Sequence, residues 1–235
     1  MKIPIINGII DRRILINFTA DPELVKQIIP QPFHPQIYKQ KAIVGICLIR
    51  LKNVKPKGFP NFFGVSSENG AHRIAVEWNE DHQIKQGVYI PRRDTSLKLN
   101  ALVGGRIFPG KHHFAKFNVK EEDGNYHVDF VSSDQTKISI DAKETNIFDN
   151  HSIFETLENA SDFFEKDAIG YSPNKNKFDG LELQTYKWEV RPLEVLNVQS
   201  SFFENENLFP KGSIKFDNAL LMTKIEHEWH SVADK

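Results

Sequence analysis

The stretch GGRIFPGKHHFAKF, residues 104–117, sets two adjacent histidines, His112 and His113, between a Pro-Gly break and an alternating apolar run, in a chain with nine histidines in all. Histidine exchanges a proton or ligates a metal near neutral pH, so the pair is the first candidate for acid-base chemistry. On a strand, neighbouring side chains point to opposite faces, so only one of the two can face a given pocket. His113 shares parity with Ala115, Phe117 and Val119, and His112 with Phe114, Lys116 and Asn118; the pattern leaves the choice open. The structural alternative is that one histidine packs in the wall with a hydrogen-bond partner while the other is wet.

A second constellation is ENGAHRIAVEW, residues 68–78, where strand parity groups Arg73 with Ala75 and Glu77, and His72 with Ile74, Val76 and Trp78. A lumen lined by Arg73 and Glu77 suits a carboxylate or carbonyl ligand, because guanidinium forms bidentate bonds to such groups. The competing reading is a solvent-facing ion pair on a sheet surface. In PRRD, residues 91–94, Arg92 and its neighbour pose the same choice at the predicted start of a helix, where backbone amides and arginines can hold an anion. A metal site is not expected: adjacent histidines are poorly disposed to chelate one ion, and in HEWH His227 and His230 fall on opposite strand faces. No cofactor is expected either. Cys47, the single cysteine, lies inside the apolar run AIVGICLIRL and reads as a buried small hydrophobe.

The elements that must position these groups are mostly strands. HHFAKFNV, YHVDFVSS and TKISIDAKE alternate apolar and polar residues and are separated by KEEDGN and SDQ, which is the chemistry of a meander. AHRIAVEW, GVYIP, LELQTYKWEV, VLNVQSSFF and ALLMTKIEHEW add further strands, so a mainly β, antiparallel barrel or strongly curved sheet is the economical architecture. YSPNKNKFDG, residues 171–180, reads as a polar loop-like insertion. Three helices are predicted. The first follows Asp21 as N-cap with Pro22 at its first position, Leu24, Val25, Ile28 and Ile29 facing inward, and Pro30 as its stop. The second is DTSLKLNALVGG, capped by Asp94 or Thr95, and the third is SIFETLENASDFFEK, with Ser152 and Glu155 as a capping box.

At 235 residues with 40% hydrophobic content and no linker or repeat, residues 1–235 read as one domain. The 18 Phe against 2 Met suggest a rigid aromatic interior. Thirty basic and 31 acidic residues leave a formal charge of −1, so nothing in the balance attracts nucleic acid or anionic lipid. No stretch reaches the ~20 apolar residues of a membrane helix, and the N-terminus lacks a signal-peptide core, so a cytoplasmic protein is expected.

In order along the chain, RRILINFTADPELVKQIIPQPF, ENGAHRIAVEW, GVYIPRRD, GGRIFPGKHH and NALLMTKIEHEW together resemble the acetoacetate-decarboxylase-like superfamily. They are most similar to its uncharacterised branch, a domain of unknown function. The resemblance implies a cone-shaped antiparallel β-barrel with peripheral helices, a pocket inside the cone, and small-molecule binding. It also implies an active-site arginine, at Arg12 or Arg13, and a pocket carboxylate, at Glu68 or Glu77. In decarboxylases of this kind a Gly-x-Pro-Lys-Lys-like segment supplies a Schiff-base lysine, activated by desolvation and a neighbouring cation. Here RIFPGKHHF departs: His112 and His113 stand where the lysine pair belongs, with Lys111 one place early. Histidine cannot form the imine, so acetoacetate decarboxylation is not expected. The expectation is a binder of a carbonyl- or carboxylate-bearing molecule. The alternatives are a lyase or hydrolase using His112 or His113, or a decarboxylase using Lys111. Barrels of this type resemble ones that assemble, so a homo-oligomer is a further expectation.

Overall fold

The computed structural model describes residues 4–98, 110–166 and 168–235. Its strands are β1 (Ile6–Ala20), β2 (His34–Pro35), β3 (Ile37–Tyr38), β4 (Lys41–Pro56), β5 (Val65–Glu80) and β6 (Gln83–Thr95). They continue as β7 (His112–Glu122), β8 (Asn125–Ser132), β9 (Lys137–Glu144), β10 (Ile169–Asn174), β11 (Lys177–Thr185), β12 (Arg191–Ser200) and β13 (Ile214–Val232). Among the described residues the helices with given bounds are α1 (Pro22–Ile28) and α2 (Leu157–Glu165), beside one short 3-10 turn, Asn61–Phe63.

All strands belong to one 13-stranded sheet. The barrel expected from the sequence is there, antiparallel except for two parallel pairings, β6 with β7 and β6 with β10. The pairings close two circuits. One runs β1-β4-β5-β6-β7-β8-β9-β12-β13, and the other runs β1-β4-β5-β6-β10-β11-β13. The five strands β13, β1, β4, β5 and β6 are therefore shared, and each of their faces looks into a different circuit. The first is filled by the main core: Ile14, Ile16, Val44, Ile46, Leu48, Ile74, Val128, Phe130, Ile138 and Ile140 are all at most 1% exposed. At two-residue spacing these side chains occupy alternate positions of β1, β4 and β5, as one buried face of a pleated strand requires.

The second circuit depends on residues 171–180, predicted as a loop. They form the facing halves of β10 and β11, paired from Ile169↔Glu182 to Asn174↔Lys177. The polarity that suggested a loop belongs to the two-residue turn, where Lys175 takes φ +53. One end of this circuit is stoppered by α2, whose Phe163 and Phe164 pack with Phe154 on Leu15, Ile43, Ala75 and Leu220. The first helix is as predicted: Asp21 Oδ1 accepts from the Glu23 N–H at 2.9 Å and Pro22 leads the helix. The capping box of the last helix is corrected. Thr156, not Ser152, is the N-cap and accepts from Asn159 N, while Glu155 takes φ +67 outside the helix. Ser152 instead donates to Asp217 at 2.7 Å, a buried partner that sequence spacing cannot supply. The predicted caps Asp94 and Thr95 lie at the end of strand β6, and the remainder of that predicted helix falls largely outside the described residues.

Candidate functional site

Alternation along the shared strands divides neighbouring polar residues between the circuits. Arg12, His72, Arg92 and Asp94 fall on the side of the main core, whereas Arg13, Arg73, Arg93 and His112 line a cavity of about 140 Å³ in the second circuit. Its walls include Ser67, Asn69, Ala71 and Arg73 from successive like-facing positions of β5, with Cys47, Ile49 and Leu51 from β4. Leu181, Leu183 and Trp229 close the far side. The cavity is comparable to the roughly 150 Å³ engineered voids that hold benzene, and so admits a molecule of a few heavy atoms.

Register brings the polar groups together. Arg93 faces Ala71 on β5 and His112 on β7, Ala71 faces Cys47, and Arg13 faces Ile49 on β4. Burial pushes the His112 pKa down to about 3, with the Arg93 charge adding to the effect, so its imidazole is neutral at pH 7. Arg93 donates from Nε to Ser172 Oγ at 2.9 Å, and burial lowers its pKa to about 10. Among the described residues neither Arg93 nor Arg13 has a carboxylate partner; the Arg13 guanidinium meets only the Met222 thioether, at 3.9 Å. Arg73 donates from Nη2 to Asn17 Oδ1 and stacks over the Phe164 ring at 4.7 Å. Gly45 makes room for it, since a Cβ there would come within 3.4 Å of the Arg73 guanidinium and 2.6 Å of Ile16 O. Behind Asn17 a buried chain continues to Asn218 (2.7 Å) and on to Asp217 (2.6 Å).

The core-side set is differently satisfied. Arg12 is 1% exposed and binds Glu68 at 2.6 Å and Glu121 at 2.5 Å; Arg50 bridges the same two carboxylates. Arg92 grips Asp94 at 2.8 Å and Asp134 at 2.7 Å, and Ser132 also donates to Asp94. Asp94 touches the cavity, but its charge is already matched.

The structure thus sorts the sequence candidates. It brings Arg13, Arg73 and His112 together. It sets Arg12 and Glu68 in a structural ion cluster and Arg92 in another. His113 lies 3.4 Å from Asp134, outside the cavity, and exposed Lys111 lies outside it too. Glu77 is not in the lining; it pairs along the sheet with His34 and Gln86. PRRD is strand rather than helix start, so the anion-at-a-helix-terminus idea is replaced by two arginines facing opposite ways. Both arginines of PRRD are candidates for holding an anion, and strand alternation through PRRD is the signal that separates cavity-facing Arg93 from Arg92. Cys47, expected as a buried small hydrophobe, is half-buried and lines the cavity. Among the described residues no group of His, Cys, Asp and Glu could hold a metal ion. No helix of the described residues is long and apolar enough to cross a membrane.

The fold is shared with solved acetoacetate decarboxylases and a decarboxylase-like enzyme. Acetoacetate decarboxylase from Legionella pneumophila superposes with a TM-score of 0.61 at 14% identity, covering 99% of this chain and 88% of that one. An acetoacetate decarboxylase-like enzyme from Sphingomonas wittichii RW1 gives 0.60 at 8% identity, over 99% and 92% of the two chains. The enduracididine biosynthesis enzyme MppR complexed with pyruvate gives 0.53 at 7% identity, over 98% and 88%. No curated protein matches the sequence. Within this fold, residues 10–222 match DUF2071, described as an uncharacterized conserved protein, and the chain belongs to that family.

Proposed function

We propose that the protein binds a small carboxylate-bearing molecule, a 2-keto acid or a close relative, in the cavity of the second circuit, without forming a Schiff base. The observation that carries the reading is the charge imbalance of the cavity. Arg13 and Arg93 line it without a carboxylate partner among the described residues, Arg73 stands beside them, and Asp94, the one carboxylate among the described lining residues, is held by Arg92. A buried guanidinium without a counter-ion is costly, and a bound carboxylate offsets that cost with bidentate hydrogen bonds. The apolar remainder of the wall suits a short carbon skeleton. The complex of MppR with pyruvate, on the same fold, supports a ligand of this class.

Two features argue against imine chemistry. No lysine occurs among the described lining residues, and residues 99–109 contain none in sequence. Neutral His112, beside Arg93, favours a second reading in which the bound acid undergoes proton transfer. A carboxylate near the ring would raise its pKa toward the working range.

The test is calorimetry and thermal shift with acetate, pyruvate and acetoacetate on the wild type and on an Arg13→Ala/Arg93→Ala variant. The expected result is stabilisation of the wild type that the variant loses. Absence of any shift at millimolar acid would overturn the reading, and a borohydride-trapped adduct on Lys111 would overturn its non-covalent part.

A further inference from the structure

Next to the cavity lies a second, more open recess of about 400 Å³, lined by Arg93, Lys111, His113, Ser172, Asn174 and Lys175 together with Ile90, Pro91, Gly110 and Pro173. Arg93 belongs to both, so its guanidinium stands in the partition between them. Ser172 fixes that partition through the 2.9 Å bond to Arg93 Nε, and Gly110 leans on it closely enough that a Cβ there would lie 2.4 Å from Ser172 Cβ. Among the described residues the hydrogen bond of Arg93 is the one from Nε to Ser172, and its two Nη groups make none. The recess is basic. Lys111 and Lys175 are exposed at its rim, and no Asp or Glu is among its lining residues. The nearest acids are already engaged: Asp134, 3.4 Å from His113, is gripped by Arg92, and Asp179 takes the Asn174 amide and Lys177.

We infer that this recess is a second carboxylate subsite, and that the ligand of the cavity is a short dicarboxylic acid whose two ends are held on either side of Arg93. The inference rests on the proposed function, because it extends the ligand outward from the same cavity. One carboxylate reaches Arg13 and Arg73 inside; the other lies among Lys111, Lys175 and Arg93 outside. A monocarboxylate fills the inner part alone and leaves the lysines hydrated.

The test compares 2-oxovalerate with 2-oxoglutarate, which have the same number of carbons and differ by a methyl against a carboxylate at the far end. Binding of both is measured by calorimetry at low and high salt. The second acid is expected to bind about tenfold tighter to the wild type at low salt, with the gap narrowing as salt screens the outer charges. Lys111→Gln and Lys175→Asn, separately and together, remove the rim charges; asparagine tolerates the positive φ at position 175. In the double variant the tenfold gap is expected to fall below about threefold while 2-oxovalerate binding changes by less than about twofold. Equal affinity of the two acids for the wild type, or a gap that survives the double variant, overturns the inference while leaving the cavity reading intact. Failure of both acids to bind overturns the cavity reading and this extension with it.

Discussion

The two faces of the shared strands treat the same kinds of residue in opposite ways. Each adjacent polar pair is split: Arg12 from Arg13, His72 from Arg73 and Arg92 from Arg93; on neighbouring β7, His113 parts from His112 in the same way. On the core side the arginines are paired, Arg12 with Glu68 and Glu121 and Arg92 with Asp94 and Asp134. On the cavity side Arg13 and Arg93 have no carboxylate among the described residues. Burying a charge with its partner is a structural solution; burying it beside an empty volume leaves binding energy for a ligand. Both faces are equally basic in sequence, and only the placement of the acids tells the structural face from the candidate binding face.

The largest expected effect is on acid stability. Burial lowers the pKa of His72 and His112 to about 3 and of His227 to about 4, below the usual value of 6.5. The unfolded chain therefore binds protons that the folded chain refuses between pH 6.5 and these values. Stability is full above pH 6.5 and falls as the pH drops, by about 1 kcal/mol per pH unit for each histidine. Urea denaturation from pH 7 to pH 4 checks the slope, and His72→Gln should flatten it. A saturating carboxylate should flatten only the share of His112, which sharpens the contrast between the faces.

Truncation on one strand gives the next effect. Ile46 and Ile49 lie on β4 and face opposite circuits; Ile46 is 0% exposed in the main core and Ile49 lines the cavity. Ile46→Ala is expected to cost about 2–5 kcal/mol, because it opens a void in packed surroundings. Ile49→Ala should cost roughly 1 kcal/mol, because it only enlarges an existing space. Equal costs in denaturant titrations would mean that the cavity collapses in solution.

The smallest effect on stability should come from Arg93→Met. It removes a half-buried charge that has no carboxylate partner among the described residues, together with the Ser172 hydrogen bond, and the two changes should cancel to within about 1 kcal/mol. Carboxylate affinity should fall at least tenfold in the same protein, the size of one charge-assisted contact. A large loss of stability with unchanged affinity would make Arg93 structural.

Much of this was legible along the chain. The β7-β8-β9 meander, the Asp21–Pro22 helix start and the parity of residues 72 to 76 are local signals, written in side-chain alternation and turn chemistry. Alternation says that Arg12 and Arg13, or Arg92 and Arg93, part company, but not which of each pair meets an acid. That was settled by long-range pairing. Glu121 on β7 reaches Arg12, Asp134 reaches Arg92, and the β10-β11 hairpin, disguised as a polar loop, joins β6 to β13 and encloses the other face. Period-two patterning is fixed within a few residues, whereas a cavity is the space left between strands more than a hundred residues apart, and no local rule measures that distance.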